Sequence, residues 1–201
     1  MMPLLALVLA YLLGSIPFGY LLVKWRTGGD VRAAGSGNIG ATNVLRTTGR
    51  AAGIATLLLD IAKGYAAVWI AESLTHRSGL WMSAAALAVM AGHSYPLFLR
   101  FQGGKAVASF VGAFLRLTPI PLAAVLLVFL GVAGWTRHIS FGSIAAAATL
   151  PLAVWIIEHP SASVVIAALV AAAFIIYRHS SNIQRLREGT EHVFSLGSRR
   201  S

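Results

Sequence analysis

The sequence predicts an all-α integral membrane protein with about seven membrane-spanning helices. Of its 201 residues, 57% are hydrophobic and only 11% are charged, and the mean hydropathy is +0.76. A soluble domain typically carries about 25% charged residues and about 45–50% apolar ones. The apolar residues also fall into runs of about 20, which is the length of an α-helix that crosses the hydrocarbon core of a bilayer.

Seven apolar segments meet or approach this length. The first has no basic residue before Lys24, so we interpret it as a retained helix rather than a signal peptide. Pro119 and Pro121 divide a run that is too long for one crossing, and this division leaves a short fourth span. The predicted spans are residues 1–24, 51–74, 80–99, 106–117, 120–135, 141–157 and 163–177.

The positive charges predict the orientation of these spans. Lys and Arg number 16 and Asp and Glu number 6, and with seven spans 13 of the 16 basic residues fall on one side of the membrane. The positive-inside rule makes that side cytoplasmic, so we expect the N-terminus outside and the C-terminus in the cytoplasm. A nucleic-acid-binding protein would not also be this apolar, whereas anionic lipid and phosphorylated substrates both suit the excess of positive charge.

The long polar segments all lie on the predicted cytoplasmic side, at 25–50, 92–109 and 178–194, while the connections on the other side are short. We therefore predict one transmembrane domain over 1–201 whose chemistry faces the cytoplasm, followed by a disordered, cationic tail at 195–201. The chain has no cysteine, so disulfides and thiolate metal sites are excluded.

The first polar segment reads GSGNIGATNVLR at 35–46. Its glycines allow backbone amides to approach an anion, and Ser36, Asn38 and Asn43 add hydroxyl and amide groups. Arg46 adds a planar guanidinium that can clamp a phosphate with two hydrogen bonds. A flexible loop between spans is the alternative interpretation of a segment so rich in Gly, Ser and Asn.

The second segment, 92–109, contains His93 and the triplet Gly103-Gly104-Lys105 ahead of an apolar helix. Amides at a helix N-terminus, together with the helix dipole, favour a bound phosphate, and Lys105 adds a mobile positive charge. The spacing differs from the Walker A motif, so nucleotide binding is not implied. A helix cap with a snorkelling lysine is the alternative.

The third segment reads HSSNIQRLREGTE at 179–191. On a helix that continues from the last span, His179 and Asn182 share one face. A histidine exchanges protons near neutral pH, and an asparagine side chain can hold a polar oxygen. A basic, amphipathic helix at the membrane surface is the alternative.

Two further pairs of polar residues lie in or beside the spans. Asp60 and Lys63 are one helical turn apart within the second span, and we favour a structural ion pair near its cytoplasmic end. Ser140 and Ser143 lie at the start of the sixth span, where they can bind an anion or cap the helix, and we favour capping.

In their order and placement, the three segments resemble the motifs of the bacterial acyl-phosphate:glycerol-3-phosphate acyltransferases, and the hydrophobic layout is similar to that family over nearly the whole chain. The sequence departs from the family pattern at Ala106, where a glycine is usual, and at His192, where a lysine is usual. The resemblance implies acyl transfer from acyl phosphate to the 1-hydroxyl of glycerol 3-phosphate in the bacterial inner membrane, with lysophosphatidic acid and phosphate as products and no cofactor.

On this interpretation, the amides of Gly103 and Gly104 hold the phosphate of the acyl donor, and Ser36, Arg46 and Lys105 hold the glycerol phosphate. Asn38 and Asn182 orient its hydroxyl group, and the proton passes to His179 or to a phosphate oxygen of the substrate. We predict Ser36, Lys105, His179 and Asn182 as the catalytic residues. The predicted substrate-binding residues are Asn38, Asn43, Arg46, His93, Gly103, Gly104, Ser143, Arg185 and Glu191.

Two other functions compete with this one. A transporter for a phosphorylated metabolite would suit seven spans and the intramembrane Asp60 and Lys63, but transporters commonly have two related halves and the sequence shows no convincing repeat. A lipid phosphotransferase would ordinarily need an Asp-rich set of metal ligands, and Asp30 and Asp60 are the only aspartates in the chain.

Overall fold

A computed structural model describes residues 1–194, and the predicted disordered tail at 195–201 lies outside the described residues. The described chain is built from α-helices and two short 3-10 turns, Val31–Ala33 and Leu97–Leu99. The α-helices are α1 (Met2–Ser15), α2 (Phe18–Thr27), α3 (Ala41–Thr48), α4 (Arg50–Leu74), α5 (Gly79–Ser94), α6 (Val107–Leu117), α7 (Pro119–Thr136), α8 (Ile139–Glu158), α9 (Ala162–Arg178) and α10 (Ser180–Arg187).

The helices confirm the predicted all-α membrane protein. Within residues 1–194, five segments are long and apolar enough to cross a bilayer, and the bent pair α9 and α10 makes a sixth. The predicted fourth span is the 11-residue α6, and at about 1.5 Å per residue this helix is shorter than a bilayer core of about 30 Å. The count of seven spans and the orientation of the termini remain predictions.

The chain divides into two compact units, Met1–Leu117 and Thr118–Ser201. The first and second polar segments belong to the first unit, and the third segment belongs to the second unit. That the chain forms a single domain remains a prediction.

The predicted first span is broken in the middle. Helix α1 ends at Ser15 and α2 begins at Phe18, with Ile16 in an extended conformation between them. Pro17 has no N–H to donate and disfavours helical geometry in the residue before it. The prediction of one uninterrupted helix over 1–24 is therefore wrong, although the two helices together still have the length and hydropathy of one span.

Small side chains let the helices of the first unit pack closely. Its core consists mostly of fully buried alanines from α1, α4, α5 and α6. Gly64 of α4 lies against the backbone of Ser109, and Gly112 of α6 lies against the backbone of Ile61, so neither position has room for a Cβ atom. Small residues at such crossings are typical of helices that associate in membranes, because close backbone approach increases van der Waals contact.

In the second unit, α8 packs against α7 and α9. The helix pair α9 and α10 bends by 57° at His179, which ends one helix and precedes the next. The prediction that the third segment continues the last span as one helix is therefore wrong. The bend instead turns the polar helix α10 away from the axis of the apolar helix α9.

Candidate active site

The first polar segment is organised around the side chain of Asn43, which is 2% exposed. Its Oδ1 accepts a hydrogen bond from the amide of Ser36 at 2.9 Å, and its Nδ2 donates to the carbonyl oxygens of Val31, Ala34 and Asn38 at 2.8–3.2 Å. The Asn43 side chain therefore holds the loop together from inside. A contact between Asn43 and substrate stays a prediction.

The loop presents other polar groups toward solvent. The side chains of Ser36 and Arg46 are exposed, and Asn38 is partly exposed, with its Oδ1 accepting from the amide of Gly40 at 2.8 Å. Ile39 is buried with Val31 and Val44 in an apolar cluster beneath the loop. The segment is thus a fastened loop with outward polar groups, and the hydrogen bonds of Asn43 argue against a freely flexible linker.

The amides of the glycine pair in the second segment donate hydrogen bonds within the chain. The amide of Gly103 donates to the carbonyl of Ser94 at 3.2 Å, and the amide of Gly104 donates to the carbonyl of His93 at 3.1 Å. Both amides are therefore engaged within the chain, and the amide cradle for phosphate stays a prediction. A Cβ atom at Gly104 would collide with the His93 ring, so this glycine is required by close packing.

Between this loop and α6, Ala106 is completely buried and has a φ of +61°. This left-handed conformation favours glycine, the residue usual at this position in the resembled family. Lys105, the preceding residue, is partly exposed. The loop therefore ends in a strained residue directly after the lysine that was predicted to bind phosphate.

Asp60 and Lys63 form the ion pair predicted from their spacing. Lys63 Nζ lies 2.8 Å from Asp60 Oδ1, and both side chains are only 2% exposed. They are the eleventh and fourteenth residues of the 25-residue helix α4, which places the pair nearer the middle of the span than predicted. His93 Nδ1 lies 3.6 Å from Asp60 Oδ1 and 3.3 Å from Ser109 Oγ. The buried His93 therefore packs among polar groups of its own unit, and its assignment to substrate binding stays a prediction.

In the third segment, His179 is 3% exposed and its Nδ1 lies 2.8 Å from the carbonyl oxygen of Ile175. A carbonyl oxygen only accepts hydrogen bonds, so Nδ1 carries the hydrogen. In the neutral ring Nε2 is then the acceptor, which is the form that a general base requires.

Glu191 joins the end of this segment to two helices of the second unit. Its carboxylate accepts hydrogen bonds from Asn182 Nδ2 at 2.6 Å, Ser140 Oγ at 2.8 Å and Arg185 Nε at 2.7 Å. Burial alone would raise the pKa of Glu191, but these three donors stabilise the carboxylate and bring the pKa below its ordinary value. Glu191 therefore orients the Asn182 amide, and it pairs with Arg185.

Neither serine at the start of α8 caps the helix as predicted. The N-cap of α8 is His138, which makes no capping hydrogen bond with its side chain. Ser143 is buried and its Oγ donates to the Ile139 carbonyl one turn earlier at 2.9 Å. Its role as an anion ligand stays a prediction. The contact of Ser140 with Glu191 was not predicted, because the two residues are 51 positions apart and no local spacing signals it.

The chain is similar to glycerol-3-phosphate acyltransferases over nearly its whole length. The sequence profile of the glycerol-3-phosphate acyltransferase family matches residues 4–189. The glycerol-3-phosphate acyltransferase of Desulforamulus reducens is 46% identical over 192 residues, which cover 96% of this chain and 94% of that protein. The one of Geobacter sulfurreducens is 49% identical over 185 residues, covering 92% and 94% of the two chains.

Two solved structures also resemble the chain. Both are crystal structures of PlsY (YgiH), an integral membrane glycerol 3-phosphate acyltransferase, one in a glycerol 3-phosphate form and one in a lysophosphatidic acid form. The first is 39% identical with a TM-score of 0.92, and the second is 38% identical with a TM-score of 0.89. Each comparison covers 97% of this chain and 96% of the other.

Proposed function

The chain belongs to the glycerol-3-phosphate acyltransferase family, and we propose that it transfers a fatty acyl group from acyl phosphate to the 1-hydroxyl of glycerol 3-phosphate. The products are lysophosphatidic acid and phosphate, and the reaction is the first acylation of phospholipid synthesis. The observation that carries the proposal is the extent of the family match, which includes all three polar segments up to residue 189. The protein works in the inner membrane of a bacterium, with its polar segments facing the cytoplasm.

The reaction exchanges the mixed-anhydride bond of acyl phosphate for the ester bond of lysophosphatidic acid. The 1-hydroxyl oxygen attacks the acyl carbonyl carbon, a new C–O bond forms, and the bond from that carbon to the phosphate oxygen breaks. Phosphate leaves with the bonding electrons, and the hydroxyl proton passes to a base. Acyl phosphate is already activated by its good leaving group, so the protein has to position the two substrates and manage one proton.

The first unit supplies groups suited to phosphate. Ser36 and Arg46 are exposed on the loop that Asn43 fastens, and Lys105 follows the glycine pair. A guanidinium binds two phosphate oxygens at once, and a lysine ammonium adds a point charge. We assign these three side chains to the phosphate of glycerol 3-phosphate, and we assign the orientation of its hydroxyl group to Asn38 and Asn182.

The proton has two candidate acceptors, Nε2 of His179 and a phosphate oxygen of the substrate, whose second pKa of about 6 is close to that of histidine. The structure supports His179 through the Nδ1 hydrogen bond to Ile175, which selects the neutral tautomer with Nε2 as acceptor.

Replacing His179 by Ala distinguishes these acceptors. If His179 is the base, kcat falls by about 10²–10⁴-fold, measured by steady-state kinetics with purified protein. His192→Ala is the matched control, because His192 is exposed and lies in the same segment, and its kcat should equal that of the wild type. A loss of only a few fold in His179→Ala would assign the proton to the substrate phosphate.

The acyl transfer itself is tested with purified protein, acyl phosphate and radiolabelled glycerol 3-phosphate, without coenzyme A. We expect labelled lysophosphatidic acid to appear. Its absence in both detergent and reconstituted bilayers, with folded protein, would contradict the proposed function.

A further inference from the structure

The ion pair of Asp60 and Lys63 is expensive for a helix of this kind. Both side chains are 2% exposed within an apolar helix, and each buried ion loses the favourable hydration that it has in water. Ion pairs are retained in apolar spans mainly where they have a function. What the two side chains touch therefore indicates what the pair does.

On one side, Lys63 holds the break in the first span. Its Nζ donates to the carbonyl oxygen of Ile16 at 2.8 Å, directly before Pro17, and the ammonium lies 5.6 Å from the centre of the Phe18 ring. Ile16 follows the end of α1 at Ser15, and Phe18 begins α2, which leads into the first polar segment. The ammonium thus attaches α4 to the junction between α1 and α2, from which α2 runs to that segment.

On the other side, Asp60 faces His93. Asp60 Oδ1 is buried and has no hydrogen-bond partner of good geometry among the described residues, and its neighbours are the Lys63 ammonium at 2.8 Å and His93 Nδ1 at 3.6 Å. Ser109 Oγ lies 3.3 Å from the same ring nitrogen, His93 Nδ1. A carboxylate beside an imidazole sets the orientation and the tautomer of the ring.

His93 in turn holds the loop that carries Lys105. The carbonyl of His93 accepts the hydrogen bond of the Gly104 amide at 3.1 Å, and the His93 ring occupies the space that a side chain at position 104 would need. The position of His93 therefore determines where the backbone next to Lys105 lies. Asp60 of α4 lies beside the His93 ring, and the His93 ring packs against Gly104. These two contacts connect α4 to the second polar segment.

We propose that Asp60 and Lys63 are positioning residues for the acyl transfer. Together they hold the Lys105 loop and the beginning of α2, the helix that leads into the first polar segment, in their productive arrangement. This inference rests on the proposed function, because it takes Lys105 as a ligand of the glycerol phosphate. Its physical basis is that reacting groups displaced by about 1 Å can lose about 10²-fold in rate.

The test replaces both charges at once, because a lone buried charge would destabilise the protein whatever the role of the pair. Asp60→Leu with Lys63→Met keeps apolar bulk and strands no ion, and such replacements are often neutral for stability. We expect the double variant to remain folded, with kcat/KM for glycerol 3-phosphate lowered by about 10²-fold and with KM for this substrate raised. A variant that was merely part-unfolded would show a lower kcat with both KM values unchanged. The single variant Lys63→Arg keeps the charge and the donors, so it should retain most of the wild-type activity.

The control is an ion pair near the C-terminal end of α4. Glu72 pairs with Arg116 of α6, and the double variant Glu72→Gln with Arg116→Met should leave kcat and both KM values unchanged. Wild-type kinetics in a folded Asp60→Leu/Lys63→Met variant would overturn the positioning role. Failure of the proposed function is a separate result, because the wild-type protein itself would then make no lysophosphatidic acid.

If the double variant does not fold, Ser109→Ala decides the question. It removes the hydroxyl on His93 Nδ1 without changing any charge. The positioning role predicts a several-fold rise in KM for glycerol 3-phosphate with unchanged thermal stability, and wild-type KM in this variant would overturn it.

Discussion

Two carboxylates, Asp60 in the first unit and Glu191 in the second, are stabilised by different kinds of partner. Asp60 lies inside an apolar span, and its close partner is one ammonium on the same helix, with no hydrogen bond of good geometry to its Oδ1 among the described residues. Glu191 lies outside the spans and accepts three hydrogen bonds, from Asn182, Arg185 and Ser140. Both connect a polar segment to the helices beneath it.

The difference shows how the location of a charge determines what its removal costs. Asp60 and Lys63 compensate each other in a medium without water, so the loss of either one strands the other. Two of the three donors to Glu191 are neutral, and the third, Arg185, has a side chain that is 31% exposed. Water can therefore replace part of what Glu191 provides, and we expect a smaller loss of stability at that site.

The largest effect is expected for Asp60→Leu alone, which leaves the Lys63 ammonium buried without its partner. Removing one member of a buried ion pair typically costs about 3–5 kcal/mol, measured here as the free energy of unfolding in detergent. Adding Lys63→Met should recover most of this loss. A single variant as stable as the wild type would show that the pair is solvated, against the observed burial.

Glu191→Gln should have an intermediate effect. The neutral side chain keeps the shape but weakens charge-assisted hydrogen bonds, at about 1–3 kcal/mol in total near neutral pH. Because the folded pKa of Glu191 lies below its unfolded value of about 4.3, its contribution is complete above the unfolded pKa and is lost as pH falls through the folded pKa. Unfolding curves at several pH values should therefore converge for wild type and variant in acid. A stability difference that grows toward acid pH would contradict this assignment.

The smallest effect is expected at Asp30, whose ion pair with Arg32 is about one-third exposed on both sides. Hydrogen bonds from Arg32 hold the pKa of Asp30 below its ordinary value, but exposed pairs contribute only about 0–1 kcal/mol. Asp30→Asn should lower the free energy of unfolding by less than about 1 kcal/mol, and salt should reduce the difference further. If Asp30→Asn lowered the free energy of unfolding as much as Glu191→Gln does, solvent exposure would not explain the order of the three effects.

The spacing of residues along the sequence predicted the features that depend on neighbours within one helix. These features are the apolar helices and the pairing of Asp60 with Lys63. The interruption at Pro17 was missed although the proline is visible in the sequence, because the apolar run continues across it. The bend at His179 depends on contacts formed only after folding. The same is true of the hydrogen bonds by which the Asn43 side chain holds its own loop. Residues such as His93 and Ser140 meet partners more than 30 positions away, and no periodicity in the sequence reports such a pairing.

The central claim is acyl transfer from acyl phosphate to glycerol 3-phosphate, and the most direct test measures both products in one reaction. Purified protein in bilayers receives acyl phosphate and glycerol 3-phosphate without coenzyme A or acyl carrier protein, and phosphate and lysophosphatidic acid are quantified together. We predict equimolar formation of the two products, with neither above the uncatalysed background when protein is omitted. Phosphate release without lysophosphatidic acid, or lysophosphatidic acid formed only from acyl coenzyme A, would contradict the account.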